Sequence, residues 1–106
     1  MASTPEGKVK AAVKRLLKTV GIWSYMPVQN GMGVVGIPDL ICCRPYVVKP
    51  EDVGRTLGLF VAIETKAPGK RGNTTPNQDA RISEIRDAYG LAVVVDDVQQ
   101  VKEILE

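Results

Sequence analysis

Apolar residues near the start of the chain recur at helical spacing. Val9, Val13, Leu16, Leu17 and Val20 form one stripe, and the lysines fall mostly on the other side. The stripe predicts a helix over STPEGKVKAAVKRLLKTVG. Ser3 or Thr4 can cap it, Pro5 suits its first turn, and Gly21 ends it. Ser3 and Glu6 also stand at capping-box spacing. The segment IWSYMPVQ, 22–29, alternates as a strand, with Pro27 marking an edge position or an irregular end. NGMGVVGIPD is glycine-rich and reads as a turn. LICCRPYVV, 40–48, opens as a strand, and KPEDVGRTLG is a polar connection. LFVAIETKA, 59–67, is rich in β-branched and aromatic residues and predicts a buried central strand. TTPNQDARISEIRDAYG predicts a second helix, with Thr75 as cap, Pro76 in the first position, Gln78 at the capping-box position and Gly90 at the close. LAVVVDD, 91–97, is a short buried strand. VQQVKEILE is a terminal helix capped by Asp96 or Asp97.

This order predicts an α/β protein. The strand–helix–strand crossover from Val61 to Val95 predicts a parallel pair with a right-handed connection. A length of 106 residues fits one domain spanning 1–106. Apolar residues at 44% are enough for a core, and no run approaches the ~18 apolar residues of a membrane span. MASTPEGKVK lacks the apolar segment of a secretory signal, so the expected location is the cytoplasm. Cys42 and Cys43 are adjacent and point to opposite faces of a strand, which argues against a disulfide and for core filling. The chain has no histidine. Histidine-based zinc sites and triads are thereby excluded, and a metal would be held by oxygen, favouring Mg²⁺, Mn²⁺ or Ca²⁺.

Charge is unevenly placed although the net is only +2. Residues 1–81 carry twelve Lys/Arg against six Asp/Glu, and residues 82–106 carry two against six. A basic part of this kind is either a set of solvated faces or the footprint of an anionic partner such as nucleic acid.

Side-chain alternation puts Glu64 and Lys66 on one face of their strand, with Ala62 and Phe60 behind them. An E-x-K pair alone is also what a strand end with mutually screening charges looks like. Upstream, GIPDL sets Asp39 just before an apolar strand, which is equally a common turn aspartate. If those two strands pair with their acids at the same end, both carboxylates meet, and two hard oxygen ligands suit Mg²⁺. Projection of the first helix places Glu6 in line with Val13 and Leu17, on the buried side, where an acid needs a partner; a first-turn acid favoured by the helix dipole is the alternative. Gln78 heads the inward stripe of the second helix, before Ile82, Ile85 and Tyr89. It can close a capping box with Thr75, bond a phosphate or order Lys66. Directly after the E-x-K strand, APGKRGNTTPNQ sets Lys70 and Arg71 between glycines, a natural place to hold a phosphate backbone. Lys8 and neighbouring helix lysines, and Arg44, can extend that contact. Trp23, Tyr25 and Tyr46 are scattered, which disfavours a base-stacking platform.

The ordered set P-D, 24 residues, E-T-K, with an earlier helical Glu and a later helical Gln, resembles the PD-(D/E)xK nuclease superfamily. Within it, GIPDL, IETKAPGKRGNTTPNQ and the length resemble the VRR-NUC (virus-type replication–repair nuclease) family in its free-standing phage and bacterial form. The resemblance covers roughly Glu6 to Tyr89, and residues 45–58 match nothing. It implies a restriction-endonuclease-like core, a central mixed sheet of about four strands flanked by helices. It implies metal ligation by Asp39 and Glu64, by the Thr65 carbonyl, and by Glu6, with Lys66 as catalytic lysine and Gln78 beside the site. The cofactor it implies is Mg²⁺ or Mn²⁺. The activity it implies is hydrolysis of phosphodiesters in branched DNA such as four-way (Holliday) junctions, by a homodimer in a phage or bacterial host cytoplasm, with Lys8, Arg44, Lys70 and Arg71 on the DNA. A non-catalytic nucleic-acid-binding or assembly module that keeps the fold is the competing expectation; it predicts binding without metal-dependent turnover.

Overall fold

The computed structural model describes residues 4–28 and 35–106. Along them run α1 (Pro5–Val20), β1 (Trp23–Tyr25), β2 (Ile41–Cys43), a 3-10 turn (Pro50–Asp52), β3 (Val61–Thr65), α2 (Pro76–Asp87), β4 (Leu91–Val95) and α3 (Val98–Ile104). They fall into two compact units, Met1–Pro45 and Tyr46–Glu106.

In the first unit, the Thr4 hydroxyl accepts from the Gly7 N–H at 2.9 Å and caps α1. Ser3, the other expected cap, lies outside the described residues, as does the first half of the glycine-rich turn. Gly21 takes a left-handed φ of 78°, and Ile22 returns a 2.8 Å bond to the Leu17 carbonyl. β1 and β2 pair antiparallel, with Trp23 opposite Cys43. β1 is much shorter than the expected 22–29, whose last residue lies outside the described ones, and β2 occupies the start of 40–48, where a strand was expected to open. Pro27 has no N–H to give a ladder, and Pro45 restricts Arg44 before it. Cys43 is buried and Cys42 exposed, so the two thiols do face opposite ways. α1 buries none of its residues: Leu17 is half-covered, while Val9, Leu16 and Val20 are exposed. A sheet of two three-residue strands is too small to cover a helix of more than four turns. Glu6 is exposed in the first turn, not on a buried side as its projection implied.

In the second unit, β3 and β4 pair in parallel, Val61 beside Leu91 through Thr65 beside Val95, joined through α2. The core gathers Ile85 of α2 with Ala92 and Val95 of β4. β3 is not the buried central strand its composition predicts. Ala62, Glu64 and Lys66 are half-covered, while Val61, Ile63 and Thr65 face outward and are exposed. The described residues are thus mixed α/β with two sheets of two strands each, instead of one sheet of about four.

The two edges of the second sheet differ. Phe60 O bonds Leu91 N and Lys66 N bonds Val95 O, which by parallel alternation turns the even-numbered residues of β3 toward β4. The backbone groups of Val61, Ile63 and Thr65 therefore point to the opposite edge, where no further strand pairs among the described residues. On the far side of β4 the outward carbonyls are taken. Arg86 donates from Nε and Nη2 to Ala92 O at 3.0 and 2.8 Å, and Arg71 Nε donates to Val94 O at 3.0 Å. Two arginines cap one edge and the other stays open.

α2 begins at a full capping box. Gln78 N donates to Thr75 Oγ1 at 3.1 Å, and Thr75 N donates to Gln78 Oε1 at 2.9 Å. Its inward stripe ends at Ile85. Tyr89, expected to continue it, is 86% exposed and itself takes the left-handed φ of 68° expected of glycine. Gly90 then closes the helix through its N–H to Ile85 O at 2.9 Å. Asp97 caps α3, accepting from Gln99 N at 2.8 Å.

Candidate functional site

The strand alternation that puts Glu64 and Lys66 on one face also turns both toward the first turn of α2. There Gln78 stands between them. Its Nε2 donates to Glu64 Oε1 at 2.8 Å, and its Oε1 accepts from Lys66 Nζ at 3.0 Å. The same Oε1 accepts the Thr75 N–H at the helix start. The amide thus reads the acid with its donor end and the base with its acceptor end. Which end is which follows from the charges it meets.

Glu64 and Lys66 lie 3.8 Å apart, an ion pair held at longer range than a direct hydrogen bond. Their side chains are 34% and 17% exposed. Three consequences follow. Lys66 keeps ammonium protons beyond the one given to Gln78. Glu64 keeps its second oxygen, Oε2, without a donor among the described residues. And the Thr65 carbonyl lies on the open edge of β3, next along the chain. A free carboxylate oxygen and an edge carbonyl are hard donors that suit Mg²⁺ or Mn²⁺.

An open cavity of about 250 Å³ adjoins the clasp, lined by Glu64, Gln78 and Arg81 and by apolar atoms of Ala62, Ile82 and Ile85 among others. Arg81 is turned to Glu84, 3.1 Å away.

The other predicted ligands lie in the first unit. Asp39 is just ahead of β2, half-exposed, with Oδ1 3.8 Å from Lys10 Nζ. Glu6 is exposed on α1. The structure brings together Glu64, Thr65, Lys66 and Gln78 within one unit. Among the described residues no group of three or more Asp, Glu or Cys side chains is arranged to hold a metal ion.

Of the predicted phosphate contacts, Lys8 and Arg44 are exposed in the first unit. Lys70 is exposed in the loop after β3, and its ammonium has no partner among the described residues. Arg71 is exposed too, but its Nε is committed to the edge of β4, so only its terminal nitrogens face outward.

Sequence reasoning missed two features. Asp52, in the unmatched segment 45–58, is buried and accepts from Tyr46 Oη at 2.7 Å, Lys49 N at 3.0 Å and Arg55 Nη1 at 2.6 Å. The Tyr46 hydroxyl first, then the Lys49 N–H, hold its carboxyl below the ordinary range; burial opposes them and Arg55 adds to them. The second feature is Asp96, which ties the loop after β3 to the end of β4. The Asp52–Arg55 spacing was legible as a local pair; nothing local links Asp96 to Gly69, which is distant in sequence.

No protein-family model, no curated protein and no solved structure matches the chain.

Proposed function

We propose that the chain is a Mg²⁺- or Mn²⁺-dependent deoxyribonuclease of the PD-(D/E)xK kind, similar to the VRR-NUC family, that cuts branched DNA such as four-way junctions as a homodimer in a phage or bacterial host cytoplasm. The observation that carries this reading is the clasp: one amide holding an acid and a base apart, each with its reactive atoms left over.

Phosphodiester hydrolysis requires an in-line water, relief of charge on the phosphoryl oxygens and a stabilised leaving oxygen. Lys66 serves the first two. Gln78 fixes the position of its ammonium, and its remaining protons are available to a water or to a phosphoryl oxygen. Were Gln78 absent, Lys66 and Glu64 would close into a direct pair and neutralise each other. A cation held by Glu64 Oε2, the Thr65 carbonyl and Asp39, with Glu6 further out, would polarise the phosphate and acidify a bound water. Lys70 offers a point charge to the backbone of the DNA.

The reading includes the finer fold, a restriction-endonuclease-like core with a central mixed sheet of about four strands flanked by helices. The sheet edges support it: β4 is capped by arginines, whereas β3 offers backbone groups that no strand pairs among the described residues.

The test is incubation of the purified chain with junction, flap and duplex DNA in Mg²⁺, Mn²⁺ or EDTA. Cleavage is expected with either metal and lost in EDTA. Lys66→Ala and Asp39→Asn are each expected to lower the rate about 100-fold or more. Wild-type binding with no turnover in any metal would refute the enzyme and leave a nucleic-acid-binding module. Cleavage undiminished in both variants would place the active site elsewhere.

A further inference from the structure

The loop 67–74 joins β3 to α2 and is rich in glycine, and a loop of that composition ordinarily keeps much of its backbone freedom. Here it is tied down on both sides of Lys70. Gly69, with φ 79°, gives its N–H to Asp96 Oδ2 at 3.1 Å. Arg71 gives its Nε to Val94 O at 3.0 Å. Within the loop, Lys70 N bonds Ala67 O and Asn73 N bonds Lys70 O, both at 2.9 Å.

Asp96 is itself gripped. Gln100 of α3 donates from Nε2 to Asp96 Oδ1 at 2.9 Å, and its Oε1 accepts the Asp96 N–H at 2.9 Å. The carboxylate is therefore set in one orientation, with one oxygen for Gln100 and one for the loop. Lys70 stands between the two ties, exposed, its ammonium without a partner among the described residues.

On charge alone this arrangement is the wrong way round for a DNA-binding protein. An acid beside a phosphate-binding loop repels the polyanion. Its presence calls for a geometric role that outweighs the repulsion.

We propose that Asp96, oriented by Gln100, is a positioning residue that holds the loop preformed so that Lys70 meets a phosphodiester backbone without further ordering. The proposal rests on the nuclease reading for the identity of the anion. Its physical content is that the loop loses its entropy on folding, not at the moment of binding.

The experiment uses the full chain and a fluorescein-labelled DNA duplex, in EDTA to block turnover, with anisotropy read across a salt series. Wild type is expected to bind with a salt-dependent affinity. Lys70→Ala should weaken binding and reduce the slope of log K against log salt by about 0.9. Asp96→Ala should weaken binding about three- to tenfold, the equivalent of one hydrogen bond, although it adds one net positive charge. Gln100→Ala, which changes no charge, should lose affinity in the same direction. Adding Lys70→Ala to Asp96→Ala should cost little more. The Gly69 amide should exchange with solvent faster in both Asp96→Ala and Gln100→Ala.

Unchanged or tighter binding by Asp96→Ala, or losses that simply add with Lys70→Ala, would overturn the positioning role and leave the nuclease reading standing. A wild type that cleaves or binds no DNA overturns both. Should Asp96→Ala fail to fold, Gln100→Ala decides the matter by the same two readouts.

Discussion

Truncation of Gln78 to alanine removes the amide that the site is built around, and its cost can be worked from the contacts. Three side-chain bonds disappear: to Glu64 at 2.8 Å, from Lys66 at 3.0 Å and from Thr75 N at 2.9 Å. The backbone bond from Gln78 N to Thr75 Oγ1 survives. A fully buried bond to a charged group contributes about 1.5–3 kcal/mol, but Glu64 and Lys66 are 34% and 17% exposed, so water replaces part of each. We discount each to about 0.5–1 kcal/mol. Losing half of a capping box at an exposed helix start adds about 0.5 kcal/mol. Alanine returns a few tenths through its higher helix propensity. The expected net loss is about 1.5–2 kcal/mol, which for a chain of this size lowers Tm by about 8–12 °C. Thermal unfolding followed by circular dichroism measures it. A cycle with Lys66→Met should show coupling of about 0.5–1 kcal/mol, because the second truncation removes a partner already lost. A Tm shift below about 3 °C, or strict additivity in the cycle, would refute the claim that one amide holds acid and base together.

Two further outcomes concern stability alone. Asp52 has its carboxyl held below the ordinary value, chiefly by Tyr46, so its contribution is complete above the unfolded pKa of about 3.9 and is lost as pH falls through the lower folded value. Asp52→Asn should therefore flatten the acid limb of a urea-midpoint profile below about pH 5; parallel limbs for the two proteins would contradict the assignment. Tyr89→Gly should raise stability by about 0.5–1 kcal/mol, since Tyr89 sits exposed at φ 68° where a β-carbon is unfavourable and glycine is not. A lowered Tm would show instead that the tyrosine ring contributes more than its backbone costs.

The helices were legible because their signals are local. Thr4-Pro5 and Thr75-Pro76 start α1 and α2 where capping rules put them, and Gly21 ends α1. The face shared by Ala62, Glu64 and Lys66 followed from strand alternation alone. For Gln78 the sequence allows a capping box, a bond to phosphate or the ordering of Lys66. One amide oxygen does the first and the third, because it carries two lone pairs and the helix start lies beside the end of β3. Strand length was not legible. Alternation extended β1 past the point where Pro27 stops it. Nor was the covering of α1, since a stripe shows which side of a helix is apolar and not what lies against it. At the end of α2 the preference for glycine in left-handed backbone picked Gly90, whereas the turn falls one residue earlier. Asp96 and Asp97 were indistinguishable as caps. Their roles divide only because Gly69, distant in sequence, folds back to meet the first of them.

The arginines along β4 bear on how the molecule behaves in a crowd. A bare strand margin is a template on which an identical strand from another copy can stack. Arg86 and Arg71 occupy the carbonyls that such a visitor would need, at Ala92 and Val94. Each also sets a cation where the newcomer's backbone would lie. One flank of this parallel two-stranded layer is thereby closed to fibrillar stacking by side chains that, in composition, look like nothing more than surface charge.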